Sequence, residues 1–206
     1  MLRILAILLL PLALWSCGDR QQTENDADQA TTETSPTLSE EEVQTYRHQG
    51  SQAAQATFGV LSGQLMSALK EGGVPNAIDY CNVAAYPLTD SMAQAMQAHI
   101  RRTALRYRNP QNAPTEAERR VLEQFQAQMQ QDGPIKPVVE PYGPDSVAFY
   151  APIVLQAPCQ KCHGEVGTDI APDDYDLITQ RYPEDQAVNF AEGDLRGMWS
   201  IRFARQ

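Results

Sequence analysis

The feature that most constrains this chain is a pentapeptide near its C-terminal end, Cys159-Gln160-Lys161-Cys162-His163. It has the Cys-x-x-Cys-His spacing of c-type heme attachment. Two thiols three positions apart can form thioethers with the two vinyl groups on one porphyrin edge, and the next histidine then lies under the ring to bind iron. The pattern predicts one covalent heme c, attached through Cys159 and Cys162, with His163 as an iron ligand.

Three other uses of the same cysteines are weighed against heme. A zinc site needs a fourth ligand and commonly a second cysteine pair, and a thioredoxin-like dithiol needs a strand-helix-strand setting. A plain disulfide is the third. With four cysteines and three histidines in 206 residues, the pentapeptide rarely arises by chance, so heme attachment is favoured.

The N-terminal residues predict export and a lipid anchor. Residues 1–16 carry one positive charge, at Arg3, and an apolar run that is too short for a membrane helix. The small residue directly before Cys17 resembles the bacterial lipobox, in which the cysteine is acylated; an ordinary signal peptide with an incidental cysteine is the alternative. We expect a signal peptide over residues 1–16, lipidation of Cys17, and a periplasmic location on a membrane that only the lipid enters. Gly18 carries no retention signal for the inner membrane, although sorting rules differ between bacteria.

A polar segment follows, and it explains the acidity of the chain. Residues 17–38 contain almost nothing apolar beyond alanine, which predicts a disordered tether. Residues 19–42 hold eight acidic residues and one arginine, a net charge of −7 within the formal −10. The domain over residues 39–206 is therefore only mildly acidic, and nothing in it indicates nucleic-acid binding.

Helices and strands are both predicted within that domain. Ser39 begins a capping box for a long amphipathic helix that Gly72-Gly73 interrupts, and Pro75 starts a second helix. A short helical piece over 89–96 and a helix capped by Thr115, with Leu122, Phe125 and Met129 in its core stripe, follow. Alternating patterns predict strands over 102–108, 136–140, 147–150 and 198–204. The mixture favours an α+β domain over a doubly wound sheet.

Cys81 is a cysteine left over in an oxidising compartment, and it needs an explanation. It lies on the inner face of the helix that begins at Pro75, with small apolar neighbours. It is either a small buried hydrophobic residue or the second axial ligand of the iron, as a thiolate. The competitors for that place are His48, His99, Met66, Met92, Met96, Met129 and Met198.

Several segments together resemble a known family. They are Ala77 to Cys81, the run from Arg102 to Pro110 with Asn112-Ala113-Pro114, Ala151-Pro152-Ile153-Val154 and Gly193-Asp194-Leu195-Arg196-Gly197. This set is similar to a family of exported c-type heme domains. Members occur alone, as in a cyanobacterial c-type heme protein, and as sensor modules fused to bacterial signalling proteins.

The resemblance implies a PAS-like fold, an antiparallel sheet flanked by helices, with iron held by His163 and Cys81. Arg101, Arg102, Arg106 and Arg108 could pair with the heme propionates or with a partner's acidic patch, or could lie on a solvated strand edge, and the resemblance favours Arg102 and Arg106 as propionate partners. The kinase, cyclase and membrane-spanning output segments of the fused members are not found in this chain, so signalling would pass through an unidentified redox or signalling partner.

The expected chemistry follows from the ligands. A thiolate stabilises ferric iron, so a low potential is predicted. Both axial places are filled, so we do not expect an enzyme. Departure of Cys81 on reduction would admit CO or NO, which predicts a redox- or gas-responsive sensor or binding module. A low-potential periplasmic electron-transfer cytochrome is the alternative.

Overall fold

The computed structural model describes residues 37–131 and 134–206. The predicted signal peptide, the lipidation of Cys17 and the tether up to residue 36 lie outside the described residues. Within the described part, no helix combines the length and the apolar character needed to cross a membrane. The elements, in chain order, are α1 (Glu40–Val83), α2 (Ala85–Ala95), β1 (His99–Thr103), α3 (Glu116–Met129), β2 (Val138–Pro141), β3 (Ser146–Val154), α4 (Gln160–His163), α5 (Pro172–Arg181) and β4 (Leu195–Ala204).

The long first helix begins and bends where the sequence predicts. The Ser39 side chain accepts from the backbone of Glu42, and the Glu42 side chain accepts from the backbone of Ser39, so the capping box is present. Gly72 and Gly73 interrupt the helical backbone, and Gly73 has a φ of +67°, which favours glycine. Asn76 Nδ2 donates to the carbonyl of Ala68 across this bend, at 2.9 Å. The part of α1 after Gly73 is therefore a separate helical segment that meets the part before Gly72 at a kink.

The four strands form one antiparallel sheet in the order β1-β4-β3-β2. Side chains alternate along β3. Val147 and Phe149 join the core beneath α1, whereas Ala148 and Tyr150 join the core beneath α3. The sheet thus lies between helices on both faces, which confirms the α+β prediction with a long N-terminal helix and is consistent with a PAS-like architecture.

The predicted strand over 102–108 is wrong in its position. Strand β1 spans His99–Thr103, and its last residue is paired with Met198 of β4. After Thr103 the chain turns away, because Ala104 donates its N–H to the carbonyl of Asn112 instead of to a strand. Arg106 and Arg108 consequently lie in the connection that follows β1, outside the sheet.

Gly50 marks the closest approach of α1 to the sheet. A Cβ atom at this position would lie only 2.1–2.5 Å from ring atoms of Phe149, which is fully buried. We predict that Gly50→Ala lowers the free energy of unfolding by about 1–3 kcal/mol through overpacking. Gly59, on the same helix, has no atom within 4 Å of such a Cβ, so Gly59→Ala should stabilise by about 0.5–1 kcal/mol. Denaturant unfolding of both variants tests this, and equal shifts would contradict the packing.

Glu42 joins the start of α1 to the C-terminal end of the chain. Its carboxylate accepts from Arg205 Nε at 2.8 Å, and this bond with the Ser39 contacts lowers the pKa of Glu42 from 4.5 to about 2. A carboxyl group whose pKa is lowered on folding stabilises the folded state above pH 4.5, and this stabilisation is lost as the pH falls towards 2. The stability advantage of the wild type over Glu42→Gln should therefore shrink across that window. Glu41→Gln, an exposed neighbour, serves as the control in acid unfolding titrations.

Candidate functional site

The Cys-x-x-Cys-His residues form one short helical turn after the central strand β3. Helix α4 spans Gln160–His163 and follows a 3₁₀ turn that ends at Cys159. Cys159 is exposed, Cys162 is half-buried, and both are free thiols. Burial, the largest cause, raises the pKa of Cys162 to about 11. Residues three apart on a helix lie on the same side, so the two sulfur atoms are presented together, as thioether attachment requires.

His163 is held in one tautomer. Its Nδ1 lies 2.8 Å from the carbonyl oxygen of Ala187. A carbonyl oxygen only accepts, so Nδ1 must carry the proton and donate. Burial lowers the pKa of His163 well below its usual value, and the nearby charges of Arg196 and Arg108 act in the same direction. The ring is therefore neutral, and Nε2 keeps its lone pair for a metal.

The backbone of residues 185–190, which we call the backing segment, supports the motif from one side. Phe190 donates its N–H to the carbonyl of His163 at 2.9 Å, and Asn189 donates to Gly164 at 2.7 Å. Together with the bond between His163 and Ala187, these contacts anchor the imidazole at its ring and at its backbone. The motif is thus fixed by a segment about 25 residues further along the chain, as the 24-residue separation of the His163–Ala187 bond shows.

Arg108 and Asp185 form the buried ion pair of this region. Arg108 Nε donates to Asp185 Oδ1 at 3.1 Å, and the two side chains are only 12% and 2% exposed. Arg108 Nη2 also donates to the carbonyl of Cys162 at 2.6 Å and to that of Ala187 at 3.2 Å. Asp185 in turn accepts from the N–H of Ala187 at 2.8 Å. Through Arg108, this ion pair links the backing segment to the Cys-x-x-Cys-His motif.

The sequence prediction missed Asp185 and placed Arg108 on a strand, with no ion pair. Arg108 belongs to the segment that carries the family resemblance, which was a usable signal. Asp185 lies 77 residues away from it, in a stretch with no motif of its own. No local pattern identifies such a partner.

The fold brings Cys81 to the motif. Cys81 lies near the end of α1, after the bend, close to the small core of Ile78, Ile170, Ile178 and Tyr182. Burial raises the pKa of its thiol, and Arg102 and Arg108 oppose the rise. The charge of Cys81 contributes to the raised pKa of Cys162, so the two sulfur-bearing side chains lie close enough to interact. The C-terminal end of α1 and helix α4, which are far apart in sequence, therefore lie close together.

The two predicted propionate partners have different surroundings. Arg102 is half-buried, with its guanidinium carbon 6.0 Å from the centre of the Trp199 ring, and its charge acts on Cys81. Within residues 37–131 and 134–206, Arg102 makes no side-chain hydrogen bond or ion pair. Arg106 is exposed, donates to the carbonyls of Gln186 and Val188, and lies 4.2 Å from the centre of the Phe190 ring. Arg106 thus binds the backing segment, whereas the side-chain donors of Arg102 have no partner in the described residues.

The other candidate axial ligands lie in other environments. His48 is exposed on α1, and His99 contacts Arg202 at 3.1 Å on the first strand. Met198 is fully buried between the sheet and α3, whereas Met92 and Met96 pack against the core beneath α1. Met66 is 45% exposed, and Met129 borders a surface cavity beside α3. Cys81 contributes to the raised pKa of Cys162 and so lies near the motif.

The donors at this site suit a heme. Two free thiols on one side of a helix match the two vinyl groups, an imidazole with an available Nε2 matches an axial place, and a further thiol lies nearby. For other metal sites, no group of three or more His, Cys, Asp or Glu side chains with metal-holding geometry occurs in the described part of the chain.

Comparison with known proteins finds a matching family model and a similar solved structure. The family model described as Tll0287-like matches residues 20–204. Among solved structures, the crystal structure of the cyanobacterial heme-protein Tll0287 is similar, with 26% sequence identity and a TM-score of 0.55. The match covers 82% of this chain and 98% of that one. No curated protein matches the sequence.

Proposed function

Because this chain belongs to the Tll0287-like family, we propose that it is a heme protein that carries one covalent heme c. Cys159 and Cys162 form the two thioethers, and His163 binds the iron. The solved relative is described as a heme-protein, and the covalent link is our inference from the residues of this chain.

The hydrogen bond from His163 Nδ1 to Ala187 is the observation that carries the proposal. A histidine that binds iron through Nε2 commonly donates its other N–H to a backbone carbonyl or a carboxylate, which sets the tautomer and the ring orientation. A histidine on the protein surface that binds no metal is not expected to make this hydrogen bond. Here it is made by a ring directly beside two free cysteines, at the position that c-type attachment requires.

Cys81 is proposed as the second axial ligand. Its support is its closeness to Cys162 and the presence of Arg102 beside it. Burial raises the pKa of the Cys81 thiol, whereas the charges of Arg102 and Arg108 oppose that rise and so favour the thiolate, which is the form that binds metal. Bound heme would supply reversible one-electron chemistry at low potential, because a thiolate donates charge to iron.

We propose that the protein acts as a redox- or gas-responsive sensor or binding module. Cys81 lies on the segment that follows the Gly72-Gly73 bend, and that bend connects it to the long remainder of α1. Movement of Cys81 away from the iron on reduction would leave a place for CO or NO and would act on this segment. A redox or signalling partner that binds at the surface would then respond to the movement of this segment.

A low-potential electron-transfer cytochrome is the second candidate. Its support is the exposure of Cys159, which puts one attachment point at the protein surface. An exposed heme edge permits electron exchange with a partner, and both axial ligands would then stay in place in both oxidation states. Neither role involves catalysis on a substrate. In both, the protein is exported and held on the periplasmic side of a membrane by lipid on Cys17.

Exposure of the reduced protein to CO distinguishes the two roles. The sensor proposal expects the dithionite-reduced protein to bind CO, seen as a shifted Soret band, as Cys81 leaves. A reduced protein that keeps its spectrum under CO would refute the sensor and favour electron transfer. Cys81→Ala, in which the place is already vacant, is the positive control for CO binding.

A further inference from the structure

Arg196 is a half-buried cation without an acidic partner in the described residues. Its Nε is sealed from solvent and makes no hydrogen bond, and Nη1 donates only to the backbone carbonyl of Arg106, at 3.2 Å. No ion pair joins Arg196 to any carboxylate in the described residues. Withdrawing part of a charge from water without a counter-charge is costly, and no carboxylate side chain of the described residues offsets this cost for Arg196.

The surroundings of Arg196 are cationic as well. Arg106 and Arg196 both lie over the ring of Phe190, at 4.2 and 5.4 Å from its centre. Burial lowers the pKa of Arg196 to about 9, and the charges of Arg108, Arg102 and Arg106 contribute, against an opposing effect of Asp185. Asp185 is already paired with Arg108. Such a cluster attracts an anion.

A cavity of about 420 Å³ borders this cluster. Its wall has two cationic residues and an apolar body, formed by Arg106, Arg196, Leu105, Leu122, Met129 and Phe190. Asp194 is the acidic residue at its edge, and its carboxylate accepts from the N–H of Ala191 at 2.7 Å. A cavity of this size, lined by two arginines and several apolar side chains, suits a carboxylate attached to an apolar group.

The cation cluster also lies beside the motif. Phe190, whose ring carries both guanidinium groups, donates its N–H to the carbonyl of His163 at 2.9 Å. The charge of Arg196 also acts on His163, so the cluster would be available to a group that His163 holds. The two propionates of a heme are carboxylates on an apolar ring, which is the chemistry that the cavity selects.

We propose that Arg196 is a carboxylate-binding residue whose ligand is a carboxylate on an apolar body, either a propionate of the protein's own heme or a free organic acid. The propionate source rests on the proposed heme function, and the free-acid source does not. In both, the guanidinium fork of Arg196 supplies donors that the protein leaves unused.

The test compares Arg196→Gln with Arg119→Gln in the holoprotein. Arg119 is exposed on α3 and controls for the loss of one positive charge. If the ligand is a propionate, Arg196→Gln shifts the propionate-bending band in the resonance Raman spectrum, whereas Arg119→Gln leaves it in place. Arg196→Lys keeps the charge without the fork, so it reports on the same band where the glutamine variant does not fold.

Calorimetric titration with benzoate tests the free-acid source. If the cavity takes a free acid, benzoate binds the wild type and binds Arg196→Gln roughly tenfold or more weakly, since hydrogen bonds to charged groups contribute about 1.5–3 kcal/mol. An unchanged Raman band together with no benzoate binding would overturn the proposal. A chain without heme would refute the proposed function alone, because the benzoate titration can still be made.

Discussion

Cys81→Ser is expected to remove the low-spin thiolate signature from the ferric protein and to raise its midpoint potential. The serine hydroxyl has nearly the shape of the thiol but is a poor iron ligand, so the iron loses the charge that a thiolate donates. The expected observations are a changed paramagnetic resonance spectrum, a shifted Soret band and a more positive potential in a redox titration. Heme content should stay the same, because Cys159 and Cys162 are untouched.

The control variant is Val83→Ser, two positions further along. Val83 is 72% exposed, so it introduces the same hydroxyl at the end of the same helix without reaching the site. Its spectrum and potential should equal those of the wild type. If Cys81→Ser also keeps the wild-type resonance spectrum, the second axial ligand is another residue, and the assignment of Cys81 fails.

Asp185→Asn is expected to lower the free energy of unfolding by about 3–5 kcal/mol, because it leaves the buried Arg108 without a counter-charge. Asp185 is only 2% exposed, and its oxygens accept from both Arg108 and the N–H of Ala187. Since Ala187 positions the ring of His163, the variant should also broaden the heme absorption bands by disordering that ligand. Denaturant unfolding and the visible spectrum are the two measurements.

A second ion pair of this chain provides the comparison. Asp79 and Arg181 are 2.8 Å apart, but their side chains are 53% and 44% exposed. Water screens an exposed pair, so Asp79→Asn should cost less than about 1 kcal/mol. Equal losses for Asp79→Asn and Asp185→Asn would show that burial of the Arg108 pair does not contribute as described.

Local signals predicted the starts of α1 and α3, but not the start of α2 or the presence of α5. The capping boxes at Ser39 and Thr115 depend on a residue and its third neighbour, and both are present in the structure. The bend at Gly72 and Gly73 follows from glycine alone. Each of these is a property of a short stretch of chain, so a short stretch of sequence is sufficient to predict it.

The strand over 102–108 failed for the opposite reason. Its alternation of arginines with Thr103, Leu105 and Tyr107 is real, but a strand also needs a partner. Strand β4 ends its pairing with β1 at Met198, opposite Thr103. Beyond that point the arginines bind backbone carbonyls of the backing segment. The alternating arginines therefore belong to a strand before Thr103 and bind backbone carbonyls after it.

The site itself was predicted only in part. The motif residues were identified from their spacing, and Cys81 came from counting cysteines and from the family resemblance. The contacts of Asp185, Ala187 and Arg196 escaped prediction, because each is made across the fold to a residue far away in sequence. Long-range contacts of this kind carry no periodic signal.

Intact mass and the pyridine hemochrome spectrum of the chain, expressed in a host with cytochrome c maturation, test the central claim most directly. The account predicts a mass increase equal to one heme that survives denaturation, a hemochrome typical of two thioether links, and loss of both in a Cys159→Ala/Cys162→Ala double variant. A chain that shows neither the added mass nor a Soret band would contradict it.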